Sequence, residues 1–158
     1  MIYNMAMEKI LLSTLYNDAS PSINLPIWEK KNCIGQSYWG VGNFCGLDKG
    51  IINVDCNLTD LEWDGNEIRL TNSTNIPELV EQGLEIIITW KKQMEHEYPK
   101  ISFDIFLSVD KGDEDISPSV TLRFWAVRNG YHYIIPDCME LEKYKINPIL
   151  MEQVNYGL

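Results

Sequence analysis

The sequence predicts an α+β domain in which a mainly antiparallel sheet packs against one long central helix. Two hairpin signals, at Asn129-Gly130 and Asp64-Gly65, each lie between stretches rich in apolar residues, as in hairpins with two-residue loops. Residues 75–97 have the apolar spacing of a long helix, and residues 100–109 alternate as a strand does. Two hairpins or a meander packed on one long helix, with short N- and C-terminal helices, belong to the α+β class.

Length and charge limit the classes of function. The 158 residues fit one globular domain, residues 1–158, large enough to fold around its own core. The chain has 13 Lys and Arg against 23 Asp and Glu, which gives a net charge of −10. Such a balance repels phosphate backbones and attracts basic proteins, so it argues against nucleic acid as a direct ligand.

The beginning of the chain shows no export or membrane signal. It lacks a basic leading segment and a clean cleavage site, and no apolar run approaches the roughly 20 residues that a membrane span needs. We therefore expect a cytoplasmic protein without a membrane partner.

The first third of the chain is the least regular. Residues 5–16 have the apolar stripe of a first helix, which residues 17–21 end. Residues 35–50 contain five glycines interleaved with aromatic side chains, and we expect this segment to pack on the sheet. The apolar run at residues 51–54 predicts a strand. The aromatic side chains of the segment are Tyr38, Trp39 and Phe44.

The Asp64-Gly65 hairpin would sort its side chains into two faces. Its register pairs Trp63 with Asn66 and Glu62 with Glu67, so Trp63 would lie on the buried face. Carboxylates that face each other across strands are unfavourable unless water or a cation screens them. The face opposite Trp63, which carries these carboxylates, is therefore either exposed to water or in contact with cations of a partner. Its residues are Asp60, Glu62, Glu67 and Arg69.

The long helix has clear ends. Asn75 is placed to cap it and Glu78 lies at the capping-box position, while the residue before Pro99 ends it. Gly83 in its interior costs about 1 kcal/mol relative to Ala, which suggests a close backbone approach there, for instance to the aromatic-rich segment. The alternating strand of residues 100–109 follows.

An acidic loop joins this strand to the next. It lacks the residue order of a calcium loop, so we predict a solvated loop that can seat basic side chains, and no metal site. Its acidic residues are Asp110, Asp113, Glu114 and Asp115.

The Asn129-Gly130 hairpin would present one core face and one mixed face. The mixed face, which includes Arg123, Trp125 and His132, is either covered by another part of the chain or free for a partner. We expect residues 137–144 to be irregular and residues 147–154 to form a final short helix. The predicted core face consists of Val120, Leu122, Phe124, Ala126, Tyr133 and Ile135.

No motif indicates catalysis or a cofactor. The widely spaced cysteines form no Cys-x-x-Cys pair, and with only His96 and His132 to complete a site, zinc binding is not predicted. We find no nucleophile motif, P-loop or metalloprotease motif, so we predict a protein that is not an enzyme and has no catalytic residues and no cofactor. The cysteines, expected as free thiols, are Cys33, Cys45, Cys56 and Cys138.

In size, acidity, single-domain build and absence of catalytic motifs, the chain resembles the small cytoplasmic immunity proteins that neutralise bacterial polymorphic or contact-dependent toxins. The resemblance is one of profile over the whole chain and rests on no diagnostic motif. It implies a one-to-one complex with a cognate toxin domain, often a basic nuclease, whose active site is masked.

The expected contacts with such a partner are acidic side chains and one anchor pair. Trp and Arg are over-represented among residues that dominate binding energy, which makes Arg123 and Trp125 the candidate anchors. Two alternatives are a small-ligand or housekeeping module with a pocket ringed by Tyr38, Trp39 and Trp125, and a structural subunit of a larger assembly. The candidate acidic contacts are Asp60, Glu62, Glu67, Asp110, Asp113, Glu114 and Asp115.

Overall fold

The computed structural model describes residues 1–14, 25–42, 57–144 and 147–157, and it has the predicted α+β class. One long helix packs on a five-stranded antiparallel sheet, and a two-stranded sheet lies beside it. The strands of the main sheet, in spatial order, are β1 (Ile2–Tyr3), β7 (Ile149–Val154), β5 (Phe103–Asp110), β6 (Ser119–Ala126) and β4 (Ile68–Leu70). The small sheet contains β2 (Ile27–Lys31) and β3 (Ser37–Val41). The helices are α1 (Met5–Leu11), α2 (Leu58–Gly65), α3 (Ile76–Glu97) and α4 (Cys138–Leu141), with a 3₁₀ turn at Glu142–Tyr144.

Helix α3 confirms the predicted long helix and covers one face of the main sheet. Its beginning differs in detail, because the side chain of Asn75 makes no capping bond; instead the Ser73 hydroxyl donates to Glu78 and accepts from the Asn75 N–H. Gly83 is the predicted close approach. A Cβ there would lie 2.7 Å from Cδ1 of Leu107, so the helix approaches the sheet itself. The buried side of α3 includes Leu79, Val80, Leu84, Ile86, Ile87, Trp90 and Met94.

The predicted strand at residues 100–109 is confirmed as β5, with bounds Phe103–Asp110. Its antiparallel pairing with β6 begins where Phe103 lies opposite Ala126 and ends where Asp110 lies opposite Ser119. Most side chains on both faces of these two strands are buried, because α3 covers one face and other parts of the chain cover the second.

The predicted Asp64-Gly65 hairpin is wrong. Residues 58–65 form helix α2, whose first turn is capped by the Asn57 side chain, which accepts from the N–H of Thr59 at 3.0 Å. Gly65 ends this helix instead of forming a strand turn, and only the second arm, β4, is a strand. Glu62 and Glu67 therefore do not face each other across strands.

The Asn129-Gly130 turn is present, but the second arm of its hairpin is not. Both residues have positive φ, 53° and 72°, yet beyond β6 the pairing is limited to one bridge between Arg128 and Tyr131. The edges of β6 are occupied by β5 on one side and by β4 and α2 side chains on the other, so no edge remains for another strand. The prediction that Tyr133 and Ile135 are buried is wrong; they are 41% and 57% exposed. The buried members of the predicted core face are Val120, Leu122, Phe124 and Ala126.

The C-terminal predictions are also corrected. Residues 137–144, predicted irregular, contain α4 and the 3₁₀ turn, and the Asp137 carboxylate caps α4 by accepting from the N–H of Met139 at 2.8 Å. Residues 147–154, predicted as a helix, contain β7, which lies between β1 and β5. Asn4 holds β7 near α1, because its Oδ1 accepts from both Met7 and Ile149.

Some predictions fall on residues outside the described part. These are the strand at residues 51–54 and residues 43–50 of the glycine-aromatic segment, including Phe44 and Cys45. The first helix, predicted over residues 5–16, is shorter than predicted, because it ends at Leu11 and residues 12–14 are not helical. The described half of that segment contributes β3, where Tyr38 and Trp39 are buried.

Side chains from α2 and its C-cap join the two sheets. The carboxylate of Glu62 accepts from the N–H of Trp39 on β3 at 3.0 Å and from that of Ala126 on β6 at 2.7 Å. Asn66 accepts from Val41 and donates to the carbonyls of Trp39 and Phe124 at 3.0 and 3.1 Å. These two side chains thus fill the place of a strand between β3 and β6.

Replacement of Asn66 tests this junction. Asn66→Ala removes the partners of buried backbone groups on two strands, and each unsatisfied group costs about 1–3 kcal/mol. We expect the free energy of unfolding to fall by about 3 kcal/mol in urea titrations. Asn72→Ala, at an exposed position two residues beyond β4, is the control and should change it by less than about 0.5 kcal/mol. Equal effects of the two substitutions would contradict the junction.

Candidate binding site

The outer face of the main sheet, opposite α3, is covered by a second apolar cluster. Trp125, at its centre, is 0% exposed and packs with Phe106, Ile134 and Leu141. The mixed face predicted from the sequence is therefore covered by the chain itself at Trp125. This side chain cannot anchor a partner in the described structure.

Helix α2 places Trp63 at the edge of this cluster. The indole stacks on Tyr133 with ring centroids 4.3 Å apart and an interplanar angle of 14°. The guanidinium of Arg123 lies 4.7 Å from the Trp63 ring centroid and donates to the Trp63 carbonyl at 2.8 Å. Arg123 also forms an ion pair with Glu67. Both predicted residues, Arg123 and Glu67, are thus held together beside an aromatic stack.

These side chains border a cleft of about 390 Å³ on the outer face. Ser108 and Thr121, which are paired across β5 and β6, also line the cleft, as do Tyr144 and Asn147. Two residues further along the strands, about 7 Å away, the acidic loop (residues 110–118) begins at the Asp110–Ser119 pair. The cleft and the acidic loop therefore form one continuous surface.

The acidic loop is held by bonds between its own side chains and its backbone N–H groups. Asp113 Oδ1 accepts from the N–H groups of Asp115 and Ile116, both at 2.9 Å, and Asp110 Oδ1 accepts from Gly112 at 3.0 Å. Gly112 has a φ of 68°, and a Cβ there would lie 2.1 Å from the Ile116 carbonyl oxygen. Only glycine fits this position without strain, so the loop conformation depends on Gly112 as well as on the Asp110 and Asp113 bonds.

The charge of this loop is not neutralised by ion pairs. Asp110, Asp113, Glu114 and Asp115 are exposed, and none of them forms an ion pair within the part of the chain that the structure describes. Ile116, amid these carboxylates, is 53% exposed. Interfaces combine an apolar centre with a polar rim, so an exposed apolar side chain next to exposed charges in the chain is compatible with an interface.

Glu62, by contrast, is a structural residue. Its carboxylate is 0% exposed and is held by Arg128 through two bonds of 2.9 and 2.6 Å. Burial is the largest influence on the pKa of Glu62 and raises it, while Arg128 and the backbone N–H groups of Ala126 and Trp39 act in the opposite direction. Asp60, on the same helix, is partly exposed and accepts from the Tyr131 hydroxyl at 3.0 Å.

A group of three polar side chains, Asp104, His132 and Tyr156, lies near the end of β5 that is remote from the acidic loop. The Asp104 carboxylate, 0% exposed, lies 2.6 Å from Nδ1 of His132 and accepts from the Tyr156 hydroxyl at 2.7 Å. Burial raises the pKa of Asp104, and the bonds from His132 and Tyr156 lower it. Burial, followed by the bond to Asp104, raises the pKa of Tyr156. This group holds His132 and the last described residues against the sheet.

Sequence reasoning missed Ile116, Trp63 and Tyr133 as surface residues. Ile116 could have been recognised as the one large apolar side chain within the acidic loop. The stack of Trp63 on Tyr133 had no signal in the sequence, because it depends on α2 being a helix. The aromatic side chains Tyr38, Trp39 and Trp125 do not ring one pocket, since Trp39 lies in the core beneath α3 and Trp125 in the outer cluster.

Comparison with known proteins found no similar family model, curated sequence or solved structure. Within the described ranges, no three His, Cys, Asp or Glu side chains are arranged to hold a metal ion. None of the described helices, α3 included, combines the length and apolarity that crossing a membrane requires. The candidate site therefore rests on its own geometry.

Removal of Arg128 tests the role of Glu62. In Arg128→Ala the buried carboxylate loses its cation, so its pKa rises further and ionised Glu62 destabilises the fold. We expect a loss of about 3–5 kcal/mol at pH 8. Because the raised pKa keeps Glu62 protonated in the folded variant, unfolding releases a proton, and the free energy of unfolding of the variant falls as pH rises. The loss relative to the unaltered protein should therefore be smaller at pH 5 than at pH 8.

Urea unfolding at both pH values measures this difference. Arg69→Ala, which removes an exposed arginine with no ion pair among the described residues, is the matched control. A loss for Arg128→Ala that is independent of pH would show that Glu62 is not the group involved.

Proposed function

We propose that this protein is a bacterial, cytoplasmic immunity protein that binds a cognate toxin domain and masks its active site without catalysis. The observation that carries the proposal is the ordered acidic loop around the exposed Ile116. The net charge of −10 and the adjoining cleft agree with it. A basic toxin, such as a nuclease, is the partner that this chemistry suits.

The contacts are proposed from exposure and order. Asp110, Asp113, Glu114 and Asp115 meet basic side chains of the toxin, and Ile116 enters an apolar recess between them. Because the loop is already ordered by its internal bonds, little conformational entropy is lost on binding. The long-range attraction between an acidic and a basic surface speeds association.

The remaining candidate residues fall into three groups according to their position in the fold. Glu67 and Arg123 border the cleft next to the acidic loop and are proposed as the edge of the same interface. Asp60 lies beside Tyr131, near the Asn129-Gly130 turn, and is a secondary contact. Glu62 and Trp125 are buried, so we propose that they support the interface from within the fold.

The decisive experiment identifies the toxin. A neighbouring reading frame that encodes a large secreted protein with a variable C-terminal domain would supply the candidate. Co-expression should rescue cells from that domain, and the two proteins should co-purify in a one-to-one complex. Failure of both rescue and co-purification would refute the proposal.

Charge reversal in the acidic loop tests the interface. Glu114→Lys combined with Asp115→Lys reverses two exposed charges and leaves the Asp113 bonds that shape the loop in place. It should slow association with the toxin about tenfold at low salt, and the difference should shrink as salt rises. Stopped-flow or surface-plasmon measurements over a salt series report both. Glu8→Lys with Glu95→Lys, exposed positions on α1 and α3, carries the same charge change and should have the smaller effect. An equal effect of both pairs would exclude the loop.

The apolar centre of the loop is tested separately. Ile116→Ala should increase the dissociation rate at least fivefold, because an interface residue at a binding hot spot contributes more than about 1 kcal/mol. The association rate should stay nearly unchanged, since no charge is altered. A dissociation rate equal to that of the unaltered protein would place Ile116 outside the interface.

A further inference from the structure

A cavity of about 480 Å³ lies at the end of the main sheet that is remote from the acidic loop. It is bordered by the end of β6 and the turn after it, by the start of β3, and by residues 100–102 before β5. The length of β6, about 25 Å, separates it from the acidic loop. Its volume is within the range of small-molecule sites, roughly 300–1,000 Å³.

The lining of this cavity differs in charge from the rest of the molecule. It includes Lys100 and Arg128 and no carboxylate among its described residues, although the chain has 23 acidic residues against 13 basic ones. Glu62 neutralises Arg128 from behind, and it is fully buried, so Lys100 supplies the net charge of the lining. The neutral polar residues Gln36, Ser37, Ser102 and Asn129 also line the cavity.

Several hydrogen bonds hold the Arg128 side chain, and its Nε–H donor has no partner among the described residues. Its two terminal nitrogens donate to Glu62, to the Thr59 hydroxyl and to the carbonyls of Ser37 and Ala126. No acceptor among the described residues bonds its Nε–H, and 26% of the side chain is exposed. A guanidinium that is held by several bonds, keeps one N–H unused and lines the same cavity as a lysine is suited to an anionic oxygen.

The rest of the lining is mainly apolar. It consists of Trp39, Leu58, Ile101, Ala126 and Val127, and we call these side chains the apolar wall. A ligand that placed its anionic group at Lys100 and Arg128 would rest its remaining atoms against these side chains. A small inorganic ion would leave that wall in contact with water.

We propose that this cavity binds a small organic anion, with one anionic group attached to an apolar body. Lys100 and the Nε–H of Arg128 hold the anionic group, and the wall at Trp39, Leu58 and Ile101 contacts the body. The site is distinct from the acidic loop, and the proposal stands whether or not the protein binds a toxin.

Two fluorescent probes test the proposal. 1-Anilinonaphthalene-8-sulfonate has a sulfonate on an aromatic body, and N-phenyl-1-naphthylamine has a closely similar body without charge. Fluorescence titration should show saturable binding of the sulfonate to the folded protein. Amide chemical-shift changes in ¹⁵N-labelled protein should map to Ser37, Ile101, Val127 and Arg128.

Lys100→Glu is the test variant, because Lys100 is exposed and forms no ion pair among the described residues, so the fold does not depend on it. It should weaken sulfonate binding at least tenfold and change binding of the neutral probe less than twofold. Lys111→Glu, the same charge change in the acidic loop, is the control and should weaken sulfonate binding less than twofold.

Three results would overturn the proposal. The first is no saturable sulfonate binding at millimolar probe. The second is shift changes that map to the outer cleft or another surface. The third is equal weakening by Lys100→Glu and Lys111→Glu, which would show that only the overall charge of the protein matters.

Discussion

The buried carboxylate of Glu62 is the interaction on which the architecture depends. It accepts from backbone N–H groups of β3 and β6 and from the guanidinium of Arg128, so one side chain holds two sheets and the turn after β6 together. A buried charge with only some of these donors would destabilise the fold, whereas a fully bonded one specifies a unique arrangement. Asn66, one helical turn later, completes the junction with three further bonds.

This junction also determines which surfaces remain free. By holding α2 along the edge of β6, it brings Trp63 over the outer face of the sheet, where Trp63 packs against Trp125. These two large aromatic side chains thus become part of the fold, and the two proposed sites lie toward opposite ends of the sheet. One end carries the acidic loop, and the other carries the cavity with Lys100 and Arg128.

The sequence predicted an element correctly where its local pattern is compatible with only one kind of secondary structure. Residues 76–97 have a helical apolar face bounded by Asn75 and Pro99, and β5 alternates without interruption, so both were predicted closely. Asp64-Gly65 has two outcomes, since Gly can form a hairpin turn or end a helix, and the choice depended on the tertiary partners of Glu62 and Asn66. In β7 both faces are buried, so Ile149–Val154 has no polar alternation to indicate a strand.

The candidate surface was predictable only in part, for the same reason. The charge of the acidic loop is visible in its composition, because four of the six residues from Asp110 to Asp115 are acidic. That Glu62 is buried while Asp60 remains partly exposed follows from the rotation of α2, which the hairpin interpretation could not supply.

The position of β7 has a consequence for the order in which the molecule can be assembled. This strand follows the other described strands in the chain and is inserted between β1 and β5. A ribosome-bound chain that has not yet released residues 149–154 can pair β5 with β6 but has no site for β1, and the outer apolar cluster lacks Ile149 and Met151. The complete sheet therefore forms only after that strand is available, and until then the growing chain presents an open edge that chaperones can recognise.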